Sequence, residues 1–347
     1  MSDKVLHKMI EDVQQMMLPN DDEQLCFAEI DCKPATFTKD KFYSIEPRTD
    51  EHIDIHFIDG GSAEIFSTPD TCINFIPIFH TVYRDNKRIR CAADEFYTLC
   101  QARMKDKAIV FSAKLYRSNI NSLTDAFFSE NFSFDPLDGN LLQQNSRLTI
   151  SKVPGMIRRI AELSTALILA SKAKEKDIVV IDGDLSTKLP DERKLIAALN
   201  NTAHQRNIQI CGIAKTSNLL TSSGRSVADA LSDAAPHDVW FYSPAARRQE
   251  TMISFAKLNK KSDYIFKVET SSAADTGLIL SFLAANSTDA VFLGYPYGLI
   301  EADRFARISN REKEMLRTTF MAKSGKGWGS LERSESALNA HSILDSI

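Results

Sequence analysis

The chain has 347 residues, 43% hydrophobic and 25% charged, with a formal net charge of −4. That length can bury a sizeable core, as one large domain or two smaller ones. The charge excludes a global basic field, so any nucleic-acid role needs a local basic surface or a bound cation. The six cysteines form no C-x-x-C pair, which speaks against a zinc ribbon or a disulfide framework. No apolar run approaches the roughly 18 residues of a membrane span, and the charged N-terminus lacks a signal-peptide core, so a soluble, cytoplasmic protein with no membrane partner is expected.

Residues 4–17 place Val5, Leu6, Met9, Ile10, Val13, Met16 and Met17 at helical spacing. Residues 20–50 are polar and irregular. Residues 1–48 are therefore expected to be an N-terminal extension that packs on the body or on a partner, and 49–347 the main domain. A strand is expected over 53–58, a turn at Gly60–Gly61 and a hairpin partner over 63–67. CINFIPIFHTVYRDN and RIRCAADEFYTLC read as two extended runs, and 107–116 as another strand. Residues 120–148 read as a long loop with short helices. A helix follows over 152–175, then a continuous apolar run over 178–181 that ends on Asp182, as in strands buried on both faces. Pro190 opens a helix to 206, and 208–215 is a further buried strand. Beyond it come a helix near 225–234, extended runs at 238–242, 252–257 and 264–269, and a helix at 275–286. A helical tail over 298–322, the basic loop KSGKGWGS and a last helix over 333–346 complete the chain. A β meander, helix, strand, helix, strand is the order of a ribonuclease-H-like fold. The expected class is α/β, a mixed sheet flanked by helices with an N-terminal helical extension.

Two strands end alike. FIDGG and VIDGD each place an Asp, Asp59 and Asp182, where an apolar run gives out. Sites in α/β sheets gather at such strand ends. Side by side, the two carboxylates repel unless a cation lies between them, and Mg²⁺ or Mn²⁺ suits oxygen ligands. Glu162 sits among apolar neighbours in RRIAELSTALILA, which is costly unless it is paired. It either pairs with Arg158 or Arg159 or serves as a third ligand. Lys215 ends the strand CGIAK, where it is solvated or neutralises a phosphate. His341, in ALNAHSILD, is a structural histidine or completes an Asp–Glu–Asp–His set. Such a set suits phosphodiester hydrolysis, in which two divalent ions about 4 Å apart activate the water and stabilise the leaving oxygen.

Glu130 and Asp135 compete with Glu162, and Asp184 with Asp182, while Asp303 reads as a helix-start residue. His52, Asp54 and His56 alternate on one strand face, a pattern shared by metal sites and solvated edges. KSGKGWGS does not match a nucleotide-binding phosphate loop. The pairs Arg158–Arg159, Arg247–Arg248 and Lys260–Lys261 are candidate phosphate contacts. Trp328, Tyr295 and Tyr297 are candidates to stack on bases, with core packing the alternative for the tyrosines.

IDGG, the AEL helix, VVIDGDL, CGIAKTS, GYPYGLIEADRFARI and ALNAHSILD, in that order, resemble the NurA nuclease family over about residues 50 to 345. The resemblance implies a ribonuclease-H-like DNA nuclease using Mn²⁺ or Mg²⁺, two ions per site. It implies metal ligation by Asp59, Glu162, Asp182 and His341, with Lys215 as a further catalytic residue. It also implies a homodimer working with a HerA-like hexameric ATPase in double-strand-break end resection, with 5'-3' exonuclease and single-strand endonuclease activity. A non-catalytic adaptor of the ATPase ring and an enzyme cutting RNA–DNA hybrids are the alternatives.

Overall fold

The computed structural model describes residues 3–16, 24–26, 32–117, 131–139, 141, 148–217, 219–325 and 329. In chain order its main strands are β1 (Asp54–Gly60), β2 (Ala63–Ser67), β3 (Thr71–Arg84), β4 (Lys87–Lys105), β5 (Ala108–Arg117) and β6 (Asn131–Phe134). They continue as β7 (Ile178–Asp182), β8 (Gln209–Ala214), β9 (Trp240–Arg248), β10 (Thr251–Lys257) and β11 (Phe266–Ser271). The helices are α1 (Asp3–Met16), α2 (Val153–Lys172), α3 (Pro190–Arg206), α4 (Val227–Ala234), α5 (Thr276–Ala285), α6 (Tyr297–Ala306) and α7 (Asn310–Ser324).

β1 is central. β3 and then β4 pair antiparallel on one side, while β7 and then β8 pair parallel on the other. The order β4-β3-β1-β7-β8 is that of the ribonuclease-H-like fold, as the sequence predicts. The sheet continues through β5 and β6 at one margin and through β11, β10 and β9 at the other. Short strands at Lys33–Pro34 and Phe42–Ser44 pair along β9, so part of the N-terminal 48 residues is built into the sheet. α1 leaves Val5, Leu6, Met9, Ile10 and Val13 exposed. No described helix is long and apolar enough to cross a membrane.

The period-2 alternation of the strands sorts their side chains between two cores. Ile58, Val179 and Ile181 pack with Ile157, Ile160 and Leu163 of α2 and with α3. Ile55, Phe57, Ile178 and Val180 pack with Ile279 and Leu283 of α5 and Leu299 of α6. Because β7 is covered on both sides, its sequence is apolar throughout, IVVI, until Asp182.

Three expectations are revised. The polar segment expected to be a loop contains β6, whose Phe132 and Phe134 lie opposite Ala113 and Phe111 of β5. The expected tail helix is two helices, because Ser309 caps a new one. Its side chain accepts the Glu312 N–H while the Glu312 carboxylate accepts the Ser309 N–H. Gly60 belongs to β1. Neither Gly60 nor Gly61 has a positive φ, so turn conformation does not explain them. Clearance does: a Cβ on Gly60 would lie 2.7 Å from Glu162 Oε1 of α2, and one on Gly61 would lie 1.7 Å from the Ala306 carbonyl of α6. β1 is gripped between two helices, and the paired glycines let both approach. The expected helix over 333–346, with His341, lies outside the described residues, as do Glu130 and Trp328.

Candidate active site

The parallel pairing of β1 and β7 matches Val180 with Phe57 and Ile181 with Ile58. One step further, Asp182 and Asp59 end the two strands together. By alternation both share the face of Phe57 and Val180, the face covered by α6. That helix lies close along β1: a Cβ on Gly298 would enter the Phe57 ring. Buried Glu301 fastens it, accepting hydrogen bonds from Thr81 Oγ1 (2.9 Å) and Tyr83 OH (3.0 Å) of β3 and pairing with Arg88 of β4.

So held, α6 delivers Asp303. Carboxylate oxygens of Asp59, Asp182 and Asp303 all lie within 4.8 Å of one another. Asp303 is the seventh residue of its helix, in mid-helix and not at its start. It sits beside the buried stripe of Leu299, Ala302 and Ala306, the same signal that singles out Glu162 on α2.

Glu162 approaches from the opposite face of the sheet. Its buried carboxylate lies 3.6 Å from both Arg158 and Arg159, so the pairing expected of it is present. Its Oε1 nevertheless has no hydrogen-bond partner. Burial raises its pKa against the pull of the two arginines. Arg158 also donates to the Gly60 carbonyl, and Arg159 to that of Asp184.

Lys215 follows β8 and places Nζ 2.6 Å from Asp182 Oδ2 and 3.7 Å from Asp303 Oδ1. Burial works against its charge, but Asp182, Asp303 and Asp59 outweigh it and raise its pKa. Tyr295 is fully buried and donates its hydroxyl to Asp182 Oδ1 at 3.1 Å. The sequence leaves Tyr295 between base stacking and core packing; it is core, and its hydroxyl also reaches the candidate site. Arg307 pairs with Asp303 at 2.5 Å.

Asp59 is different. Among the described residues, only its neighbour's backbone, the Gly60 N–H, donates to it, at 2.7 Å, and none forms an ion pair with it. Burial, then Asp182 and Glu162, push its pKa up to about 8. A buried carboxylate crowded by two others and lacking its own cation is a charge deficit. The oxygen donors of Asp59, Asp182 and Asp303 fit a hard divalent cation; Glu162, with Oε1 unpartnered, is not one of the three that converge.

Of the competing acids, Asp184 and Asp135 are described and are engaged elsewhere. Asp184 is bound to Ser186 N and Oγ and lies 3.4 Å from Lys267. Burial would raise its pKa, but Lys267 and Ser186 bring it down to about 2. Asp135 accepts the Leu137 N–H in a local turn. Beside the cluster a cavity of about 820 Å³ is lined by Lys215, Tyr264, Phe292, Tyr295, Arg304 and Phe305, among others.

The NurA domain model matches residues 106–308, more than half of the chain. The chain belongs to the NurA family. It shares its fold with the NurA nuclease from Sulfolobus solfataricus, at 13% identity and a TM-score of 0.52, covering 94% of this chain and 98% of that one. The catalytic domain of human endonuclease V aligns with a TM-score of 0.39 and 8% identity over 92% of this chain and 99% of that one. Ciona intestinalis endonuclease V, in complex with an inosine-containing DNA, aligns at 0.34 and 10% identity over 77% and 91%. No curated protein matches. The NurA match includes Glu162, Asp182, Lys215 and Asp303, while Asp59 precedes it.

Proposed function

We propose that this NurA-family chain is a divalent-metal-dependent deoxyribonuclease. The observation that carries this is the charge deficit at Asp59, where Asp59, Asp182 and Asp303 converge within 4.8 Å at the strand ends. Asp59, Asp182 and Asp303 would hold Mn²⁺ or Mg²⁺, two ions per site, with Glu162 and His341, as the family resemblance implies, as further ligands. When bound, such ions activate water and stabilise the leaving oxygen of a phosphodiester. Tyr295 fixes the orientation of Asp182. Lys215, beside Asp182 and Asp303, would neutralise a substrate phosphate. The aromatic and basic cavity beside the cluster has room for a nucleotide, with rings to stack on its base.

The resemblance to NurA supports a wider role: a homodimer acting with a HerA-like hexameric ATPase in DNA end resection, as a 5'-3' exonuclease and single-strand endonuclease. The test is degradation of end-labelled linear DNA in Mn²⁺ by wild type and Asp59→Ala, alone and with the ATPase, beside an RNA–DNA hybrid. DNA cleavage lost in the variant supports the proposal. A wild type inert with every divalent ion and with the ATPase overturns it, and cleavage confined to the hybrid overturns the DNA assignment.

A further inference from the structure

The other end of the β1–β7 pair carries a second cluster. Asp54 and His56 open β1, and Asp177 immediately precedes β7. They are 5%, 3% and 1% exposed. One ligand atom of each lies within 4.8 Å of the others. The three line a cavity of about 270 Å³. His52, which shares the sequence alternation, is exposed beside Glu51 and plays no part. The third member comes from the neighbouring strand, which no local pattern announces.

The carboxylates are already oriented. Arg84 grips Asp54 with two hydrogen bonds, at 2.6 and 3.0 Å. Asp177 accepts the backbone N–H of Asp54 at 2.9 Å and of Lys174 at 2.7 Å. These bonds leave each carboxylate with lone pairs to spare, the arrangement of ligands held by an outer shell of donors. The imidazole is the unsatisfied group. Both His56 Nδ1 and Nε2 are buried without a hydrogen-bond partner. Nε2 lies 3.8 Å from Asp177 Oδ2, beyond hydrogen-bond range. Leaving two polar ring atoms dry is costly unless something is bound there.

We propose that Asp54, His56 and Asp177 form a second cation site, for a divalent transition metal such as Zn²⁺ and not for Mg²⁺. Two carboxylate oxygens and one imidazole nitrogen form a mixed donor set of the kind zinc accepts, and the nitrogen discriminates against magnesium. The cavity leaves room for water at a remaining position. Arg84, Arg90, Lys172 and Lys174 also line it; Arg84 is half-buried and engaged with Asp54, and the other three are exposed, where water and salt screen their charge more strongly than that of the buried acids. The ion would join the starts of β1 and β7, leaving catalysis to their other ends.

The test uses full-length Asp59→Ala/Asp182→Ala protein, stripped with chelator and dialysed against Zn²⁺ or Mg²⁺. One retained equivalent of Zn²⁺, no retained Mg²⁺, and loss of that Zn²⁺ on adding His56→Gln support the site. Failure to retain Zn²⁺, or equal retention with and without His56→Gln, overturns it. If the triple variant does not fold, crystals of the double variant soaked in Zn²⁺ decide. An anomalous peak between Asp54, His56 and Asp177 supports the proposal, and its absence overturns it. The outcome is independent of cleavage, so it separates from that of the nuclease proposal.

Discussion

The two ends of the β1–β7 pair use similar residues and leave different things undone. At the carboxyl ends, Asp59 has no ion-pair partner among the described residues and its pKa rises to about 8. At the amino ends, burial again favours the neutral acid, but the N–H groups of Asp54 and Lys174, with the His56 ring nearby at 3.8 Å, outweigh it and lower the pKa of Asp177. The orphan atom is an oxygen of Glu162 at one end and the nitrogens of His56 at the other. Counting acids does not locate a site; the group left unsatisfied does, and its chemistry names the ligand.

The largest expected break in the comparison is Asp182→Asn against Asp177→Asn. The first should lower cleavage by at least about 10³-fold, corresponding to several kcal/mol of transition-state stabilisation, with circular dichroism unchanged. The second should leave kcat unaltered but cost about 1.5–3 kcal/mol of stability in urea, the usual worth of hydrogen bonds to a charged group.

The ends should also respond oppositely to pH. The native pKa of Asp59 lies above its unfolded value, so without metal its ionisation disfavours the fold. That liability begins above the ordinary carboxylate range near 4 and is complete above about 8. Asp177 contributes stability fully above the same range and loses it on acidification. Asp59→Asn should therefore raise metal-free stability at pH 9 by several kcal/mol, at about 1.4 kcal/mol per pKa unit, and flatten the fall between pH 5 and 9. An unchanged slope would show that Asp59 is not the strained group.

Gly61→Ala sharpens the structural side. Its Cβ would meet a backbone carbonyl of α6, which cannot rotate away. A loss of about 3 kcal/mol, the upper range for overpacking, is expected by chemical denaturation. A neutral result would mean that α6 is not clamped on β1. The smallest effect is for Tyr295→Phe, which removes one hydrogen bond to Asp182. About tenfold in kcat, or 1.4 kcal/mol, is expected from initial rates.

Much of this was legible in the residues. Asp59 and Asp182 stood out because each ends an apolar strand, and the strand order follows from meander, helix, strand, helix and strand. Asp303 was obscured because its partners are 244 and 121 residues away and only the lie of α6 along β1 joins them. The break before α7 was written in Ser309 and Glu312, a capping pair hidden inside a continuous helical pattern. β6 was lost because four residues carry too little periodicity to outweigh their polar surroundings. Asp177 joined the far cluster through a strand pairing that no spacing encodes.

One strand, Asp54–Gly60, carries members of both clusters. At about 3.3 Å per residue, the five steps from Asp54 to Asp59 set them roughly 17 Å apart. Held in the middle of the sheet, that strand is a fixed ruler. With Mn²⁺ at one end and a second paramagnetic ion at the other, their dipolar coupling would report a single, narrow separation. The molecule would thus carry its own calibration for measuring, in solution, how far any other labelled part moves from the cutting edge.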